Sequence, residues 1–159
     1  MSGRVIIAEG HKPVTVKSAT WPAGTKPRGI GRAVTPTKFK SLRATKHQVP
    51  RTDGRPQIVH LFATAPKRRM DELRMLNTMN AEFKGRIEIM GINGGTSSSM
   101  SKIDQGMSFA IATLDRMLAR RLFGKDRRVT LPATFIFDGH GRLKRAFRRP
   151  VSARDIKLT

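Results

Sequence analysis

The fold of this chain is decided by residues 57–93, QIVHLFATAPKRRMDELRMLNTMNAEFKGRIEIMGIN. The apolar run 58–63 is typical of a buried strand, and residues 86–92 predict a second strand. Between these runs the apolar residues recur every three or four positions, as on one face of a helix: Leu73, Leu76, Met79 and Phe83. Strand, helix and strand in this order predict a βαβ unit, whose crossover is almost always right-handed.

Residues 131–147 form a second block with a clear pattern. Residues 131–137 and 142–147 predict two strands, and the turn sequence Asp-Gly-His-Gly at 138–141 joins them as a β-hairpin. Residues 152–157 then predict a closing helix of about two turns.

A single helix is predicted over residues 101–122, between the βαβ unit and the hairpin. Ser101 and Asp104 suit a helix start, because a hydroxyl can cap the first turn and an acid is favourable within it. The apolar residues that follow fall on one helix face: Met107, Ile111, Leu114, Leu118 and Leu122. Gly124 is a typical stop signal.

The block FATAPKRRMDE at residues 62–72 resembles the active-site region of thioredoxin-like proteins of the TlpA/ResA type, which reads Trp-Ala-Thr-Trp-Cys-x-x-Cys-Arg-x-Glu. The block aligns without a gap, and three of its residues match: Ala63, Thr64 and Glu72. Pro66 and Arg69 stand where the two cysteines of that family belong. The resemblance implies an oxidoreductase ancestry for a chain that has lost its Cys-x-x-Cys.

Two later blocks extend the resemblance over residues 56–157. Residues 131–135 resemble the segment that carries the cis-proline of that family, which makes Pro132 the candidate, and residues 137–142 match its Asp-x-x-Gly hairpin. The implied fold is α/β and thioredoxin-like, with a βαβ unit, a linking helix, a C-terminal β-hairpin and a short helix. This domain is expected over residues 56–159.

The chain contains no cysteine, which excludes disulfides, thiolate catalysis, Cys-based zinc sites and iron–sulfur clusters. Dithiol exchange needs a thiolate and a second, resolving thiol, so the sequence predicts a protein that is not an enzyme. An enzyme that uses some other nucleophile is the least favoured alternative. The four histidines show no ligand spacing, so they predict hydrogen-bonded or surface side chains, with no metal and no cofactor.

Charge is the dominant feature of the composition, since 32 Lys and Arg oppose 11 Asp and Glu and leave a net charge of +21. Such an imbalance favours a polyanionic partner, of which nucleic acid is the commonest and an anionic membrane the next. No apolar run reaches the roughly eighteen residues of a membrane-spanning helix, and residues 5–8 are too short for a signal peptide. Neither a membrane nor a small-molecule substrate is therefore expected.

Residues 1–55 differ from the rest of the chain, because they are basic and rich in proline and glycine. Prolines at this density interrupt helices and central strands, so the segment is expected to be an irregular extension with no regular element longer than a few residues. Alone it would bury too little to fold. It is interpreted as a retained binding arm, with a mitochondrial targeting peptide as the alternative and a short overlapping presequence also open.

Basic residues also cluster at predicted turns and helix ends. Residues 67–69 precede a predicted helix, whose N-terminus attracts phosphate, although a solvated turn is the alternative. Aromatic residues are few, at 6%, which favours recognition of the backbone and shape of structured RNA over the stacking of single-stranded bases. The candidate RNA contacts are Lys12, Lys17, Lys26, Arg28, Arg32, Lys38, Lys40, Arg43, Lys46, Lys67, Arg68, Arg69, Arg127, Arg128, Arg145, Arg148 and Arg149.

Together these patterns predict a redox-inactive structural component of a ribosome that binds rRNA and neighbouring ribosomal proteins. The bacterial-type ancestry favours the mitochondrial matrix, with the cytoplasm as the alternative compartment. The rival interpretation is a non-catalytic thioredoxin-like protein-interaction or chaperone module, which would keep the peptide groove beside Pro132 without chemistry.

Overall fold

The computed structural model describes residues 4–9, 12–17, 31, 33–63, 69–95, 100–124, 129 and 131–157, with the backbone alone for 4–9, 12–17, 69, 101 and 157. The described strands are β1 (Arg4–Glu9), β2 (Lys12–Lys17), β3 (Thr37–Lys40), β4 (Lys46–Val49), β5 (Gln57–Phe62), β6 (Glu88–Asn93), β7 (Ala110–Thr113), β8 (Ala133–Phe137) and β9 (Leu143–Phe147). The described helices are α1 (Arg69–Phe83), α2 (Met100–Gln105), α3 (Arg116–Phe123) and α4 (Ala153–Lys157).

The predicted βαβ unit is confirmed by β5, α1 and β6. All six residues of β5 are buried, because this strand lies in the centre of the sheet between β6 and β8. It pairs in parallel with β6, from Gln57 opposite Glu88 to Phe62 opposite Asn93. Helix α1 packs its predicted apolar stripe onto the sheet, so Leu73 and Leu76 are fully buried.

The C-terminal hairpin is also confirmed, since β8 and β9 pair antiparallel and β8 pairs antiparallel with β5. In the turn between them, the Asp138 carboxylate accepts the backbone N–H groups of His140 and Arg142 at 2.9 and 3.0 Å. The Leu131–Pro132 peptide bond is cis, as the resemblance implied. Helix α4 closes the described chain and is five residues long.

The single helix expected over residues 101–122 is wrong, because this segment forms α2, β7 and α3. Gly106 ends α2, and its N–H donates to the carbonyl of Ile103 at 3.1 Å. Strand β7 then pairs in parallel with β6, an interaction that is invisible to local periodicity. Asp115 begins α3 as its N-cap by accepting the N–H of Leu118 at 2.6 Å, and Gly124 ends it at a φ of 87°.

The described part of residues 1–55 contains four strands, where the sequence predicts no regular element longer than a few residues. Strands β1 and β2 are six residues long each and form an antiparallel hairpin, and β1 extends the sheet by pairing in parallel with β9. Strands β3 and β4 form a second hairpin. Its last residue, Val49, is fully buried in the core, and the N–H of Leu42 at its turn donates to the carbonyl of Ile111 in β7 at 2.8 Å.

The main sheet therefore has the strand order β2-β1-β9-β8-β5-β6-β7. Its two faces carry separate apolar clusters, because neighbouring side chains of a strand point to opposite faces. Ile58 faces α1 and α4, whereas Val59 faces α3 and the β3–β4 hairpin. Among the described residues, no helix has the length and apolar character to cross a membrane.

Candidate nucleic-acid interface

The described residues contain only some of the predicted basic contacts. Eight predicted site residues lie outside them: Lys26, Arg28, Arg32, Pro66, Lys67, Arg68, Arg127 and Arg128. Lys12 and Lys17 open and close β2, and Arg69 opens α1, with only their backbone placed. The contacts whose side chains the structure describes are Lys38, Lys40, Arg43, Lys46, Arg145, Arg148 and Arg149.

Two of the predicted arginines have partners inside the protein. Arg43, at the turn of the β3–β4 hairpin, donates to the Asp104 carboxylate at 3.0 Å and to the carbonyl of Met107 at 2.9 Å. Arg149 makes a bidentate contact of 2.8 Å on each arm with Asp155. Both arginines hold elements together, and their role as RNA contacts stays a prediction.

The remaining described arginines follow β9 or lie within it. Arg148 lies over the Phe123 ring with its guanidinium carbon 5.2 Å from the ring centroid, a cation–π contact. Arg145 is half-buried within β9. Arg148 is therefore engaged by the fold, as Arg43 and Arg149 are.

The lysines of the β3–β4 hairpin are arranged differently, because all three are exposed and line a groove of about 660 Å³. Lys40 lies directly opposite Lys46 in the register of the hairpin, and Lys38 lies opposite Gln48. Within the described part of the chain, no ion pair involves Lys38, Lys40 or Lys46. These three ammonium groups are therefore available to a ligand in the groove.

The carboxylates beside the groove are neutralised by Arg51. Its guanidinium bridges Asp53 and Glu88, with Nη1 2.8 Å from the Glu88 carboxylate. The hydrogen bond from Arg51 holds the pKa of Asp53 well below its usual range, and the same bond raises the pKa of Arg51. Arg55 adds a second contact to Asp53 at 3.2 Å, and His47 Nδ1 lies 3.5 Å from Glu88. The potential of the groove is thus set by its lysines.

His47 also supplies part of the groove wall. Its ring stacks on Phe39 with centroids 6.3 Å apart, and both side chains are partly exposed in the groove. Neither Arg51 nor His47 was among the predicted contacts. The local sequence offers one signal for the contact between Arg51 and Asp53, namely two opposite charges close together before Gly54. The contact between Arg51 and Glu88 has no local signal, because the two residues are 37 positions apart in the sequence.

A buried polar cluster lies at the other end of the sheet. His60 in β5 is fully buried, and its Nδ1 is 2.8 Å from the hydroxyl of Thr134 in β8. Its Nε2 lies 3.6 Å from the carboxylate of Glu72, in the first turns of α1. Glu72 also accepts the N–H of Val151 at 3.3 Å, so one carboxylate connects α1, β5 and the segment after β9. The expectation of hydrogen-bonded histidines is confirmed for His60 and, through Thr45, for His47.

The two sites occupy opposite ends of the central strands. Gln57, the first residue of β5, accepts the N–H of Arg51 at 3.2 Å, so the groove adjoins the start of the strand. Arg69, which aligns with the second cysteine of the TlpA/ResA pattern, opens α1 after the far end of β5. Six strand residues span about 16 Å. We call the side with Lys38, Lys40, Lys46 and Arg51 the groove end, and the side with His60, Glu72 and Pro132 the redox end.

Comparison with known proteins supports the fold. A thioredoxin-family thiol:disulfide interchange protein from Chlorobium tepidum TLS superposes with a TM-score of 0.69 at 17% identity, covering 84% of this chain and 94% of that one. A DsbF homologue from Corynebacterium diphtheriae gives 0.69 at 17% identity, with 87% and 93% covered. StoA from Bacillus subtilis gives 0.64 at 13%, with 79% and 96% covered. No protein-family model and no curated protein sequence matches the chain.

The chain has a thioredoxin-like fold. Its similarity to thiol-disulfide oxidoreductases is one of backbone geometry, since this chain contains no cysteine. Among the described residues, no group of three or more His, Asp or Glu side chains could hold a metal ion.

Proposed function

We propose that this protein is a redox-inactive thioredoxin-like structural component of a ribosome, in the mitochondrial matrix, that binds rRNA through its basic surface. The observation that carries the proposal is a net charge of +21 on a dithiol-oxidoreductase fold that has no cysteine. The exposed lysines of the groove end add a concrete surface on which a polyanion fits.

The mechanism is the neutralisation of phosphate. Each lysine or arginine that contacts an RNA phosphate releases a condensed counterion, so binding is strong at low salt and weakens steeply as salt is added. No chemistry is required of the protein. The thioredoxin-like core serves as a rigid support for the cations.

The first test measures binding of the full-length chain to a fluorescein-labelled RNA hairpin of about 16 base pairs. Affinity is measured across roughly 50 to 200 mM salt, and the expected loss is at least about a hundredfold over that range. The full chain is needed because Val49 and the β3–β4 hairpin belong to the core, so deletion of residues 1–55 would disturb the fold. Absence of RNA binding at the lowest salt would overturn the proposal.

The second test places the protein in its assembly. Mitochondrial extract of the source organism is sedimented through a sucrose gradient, and the chain is followed by immunoblotting. We expect it to migrate with one ribosomal subunit and to move to the top of the gradient after ribonuclease treatment. Co-migration that survives ribonuclease, together with salt-insensitive binding of an apolar peptide, would instead favour the protein-interaction module.

A further inference from the structure

We propose that the groove end binds the sugar–phosphate backbone of RNA, with Lys38, Lys40 and Lys46 on the phosphates. This inference rests on the proposed function and deepens it, because it assigns RNA contact to one site. That site lies at the end of the sheet opposite the ancestral redox segment, at the starts of β5 and β6.

The positions of the three lysines give the site its geometry. Lys38 and Lys40 are two residues apart in β3, so their side chains leave the same face about 7 Å apart. That spacing lets two ammonium groups reach neighbouring phosphates of one strand. Lys46 lies in β4, opposite Lys40, and lines the same groove.

The pairing of Lys40 with Lys46 is unfavourable without a ligand. Like charges that face each other across an antiparallel pair destabilise the sheet. Within the described residues, neither lysine has an ion-pair partner that would offset the repulsion. A phosphate bound between the two ammonium groups would turn this repulsion into two attractive contacts.

The nearby acids are arranged so that they do not compete with a phosphate. Asp53 and Glu88 are both held by Arg51, and Asp53 also by Arg55. An anion in the groove therefore meets lysines whose nearest carboxylates are already paired. The anchored arginine also fixes the loop that forms one wall, because Arg51 donates its N–H to Gln57 of β5.

The shape and the lining favour a nucleic-acid backbone over the other polyanions. The site is a concave groove, whereas an anionic membrane offers a flat surface. The partly exposed rings of Phe39 and His47 stack on each other and line the same groove as the lysines, so the lining offers apolar surface to a ribose. The phosphates of an RNA backbone therefore fit the lysines, and its riboses fit the apolar part of the lining.

The experiment compares two charge-matched variants of the full-length chain. The groove variant is Lys38→Gln, Lys40→Gln and Lys46→Gln. The control variant is Lys102→Gln, Arg116→Gln and Arg120→Gln, which removes three exposed cations from α2 and α3. Circular dichroism and thermal unfolding check that both are folded, and binding to the RNA hairpin is measured across the same salt range.

The groove variant is expected to lose at least about tenfold in affinity at physiological salt, and its salt slope is expected to fall by about three. The control variant should stay within about threefold of the wild type. If the wild type binds RNA and both variants lose the same affinity, the groove assignment fails while the proposed function stands. If the wild type itself does not bind, the proposed function fails.

A footprint on the wild-type protein locates the contact without any substitution. Lysines are acetylated with and without RNA and quantified by mass spectrometry, with Lys102 as the internal reference. We expect RNA to protect Lys38, Lys40 and Lys46 several-fold. Inorganic phosphate and poly-glutamate, added at matched ionic strength, serve as competitors. Equal protection by phosphate would assign the site to a small anion, and equal protection by poly-glutamate to an acidic peptide; either result overturns the inference.

Discussion

The two ends of the central sheet differ in whether their described cations have partners within the fold. Among the described residues of the redox end, Arg149 holds Asp155, and His60 lies against Thr134 and Glu72. At the groove end, Arg51 pairs with Asp53 and Glu88, and three lysines are exposed. The lysines of the groove end are therefore accessible to a ligand, whereas Arg149 and His60 are engaged within the fold.

The buried groups of the redox end hold several elements together. Glu72 is buried there, and the peptide bond before Pro132 is cis. These groups connect α1, β5, β8 and the segment after β9, so the stability of the sheet depends on them. The exposed lysines belong to the β3–β4 hairpin, which forms a separate two-stranded sheet at the groove end.

The largest effect at the groove end is expected for Gly139→Ala. A methyl group at this turn would overlap the carbonyl of Gly54, whose Cα would be 2.8 Å away, and the Gly54 N–H donates to Gly139 at 3.0 Å. Because backbone atoms cannot move aside as a flexible side chain can, we expect a loss of about 3 kcal/mol in the free energy of unfolding. Urea unfolding measures it.

Gly106→Ala is the matched control, since its new methyl group would have nothing closer than the Ile103 carbonyl at 3.6 Å. That variant should stay within about 0.5 kcal/mol of the wild type. Equal stabilities for the two variants would show that the contact between the β8–β9 turn and the loop at Gly54 does not hold the groove end in place.

The next effect is expected for Arg51→Met. The variant leaves Asp53 and Glu88 without their shared cation, and Glu88 is only 16% exposed, so we expect a loss of about 2 kcal/mol in the free energy of unfolding. The loss of the cation that the two carboxylates share should also lower RNA affinity several-fold, because Asp53 and Glu88 lie beside the lysines. Chemical denaturation and the RNA titration measure the two effects separately.

Arg55→Met provides the control, because Arg55 contacts the same Asp53 but is 45% exposed. An exposed ion pair contributes little, so this variant should change the free energy of unfolding by less than about 0.5 kcal/mol. If Arg55→Met lowers the free energy of unfolding as much as Arg51→Met does, the contact between Arg51 and Glu88 is not the source of the stability.

The main elements of the sheet could be predicted because their signals are local or motif-based. The run 58–63 and the turn at 138–141 specify their strands directly, and the cis bond at Pro132 followed from a resemblance. The prediction of one helix over residues 101–122 was wrong because apolar residues at helical spacing also fit a short helix, a short strand and another helix. Only the parallel partner β6 decides between them.

The strands within residues 1–55 were not predicted for a related reason. Prolines exclude central strands, but Pro13 lies in β2, which forms one edge of the sheet, and Pro36 and Pro50 flank the β3–β4 hairpin. The site was predicted in part, since the hairpin lysines were named as contacts. The internal role of Arg43 could not be predicted, because its partner Asp104 is 61 residues away in the sequence.

At the redox end, Thr134→Val tests whether the buried polar cluster stabilises the fold. Valine has nearly the shape of threonine but leaves buried His60 without its hydroxyl partner at 2.8 Å, so we expect a loss of about 1.5 kcal/mol in the free energy of unfolding. Thr113→Val, at the exposed end of β7, should stay within about 0.5 kcal/mol. If Thr134→Val leaves the free energy of unfolding unchanged, the hydrogen bond between His60 and Thr134 does not stabilise the fold.

The smallest effect is expected for Asp155→Asn, and its pH dependence identifies the cause. The hydrogen bonds from Arg149 lower the pKa of Asp155 from 3.8 to about 2, despite partial burial that opposes the shift. A lowered carboxylate pKa stabilises the folded state above the unfolded value, and this contribution is lost as the pH falls from about 4 to 2. At pH 7 we expect the variant to lose about 1 kcal/mol, since solvent screens part of the interaction. In urea unfolding, the difference from the wild type should shrink as the pH falls from about 4 and disappear below about 2. A difference that is constant with pH would show that the charge of Asp155 does not account for the loss.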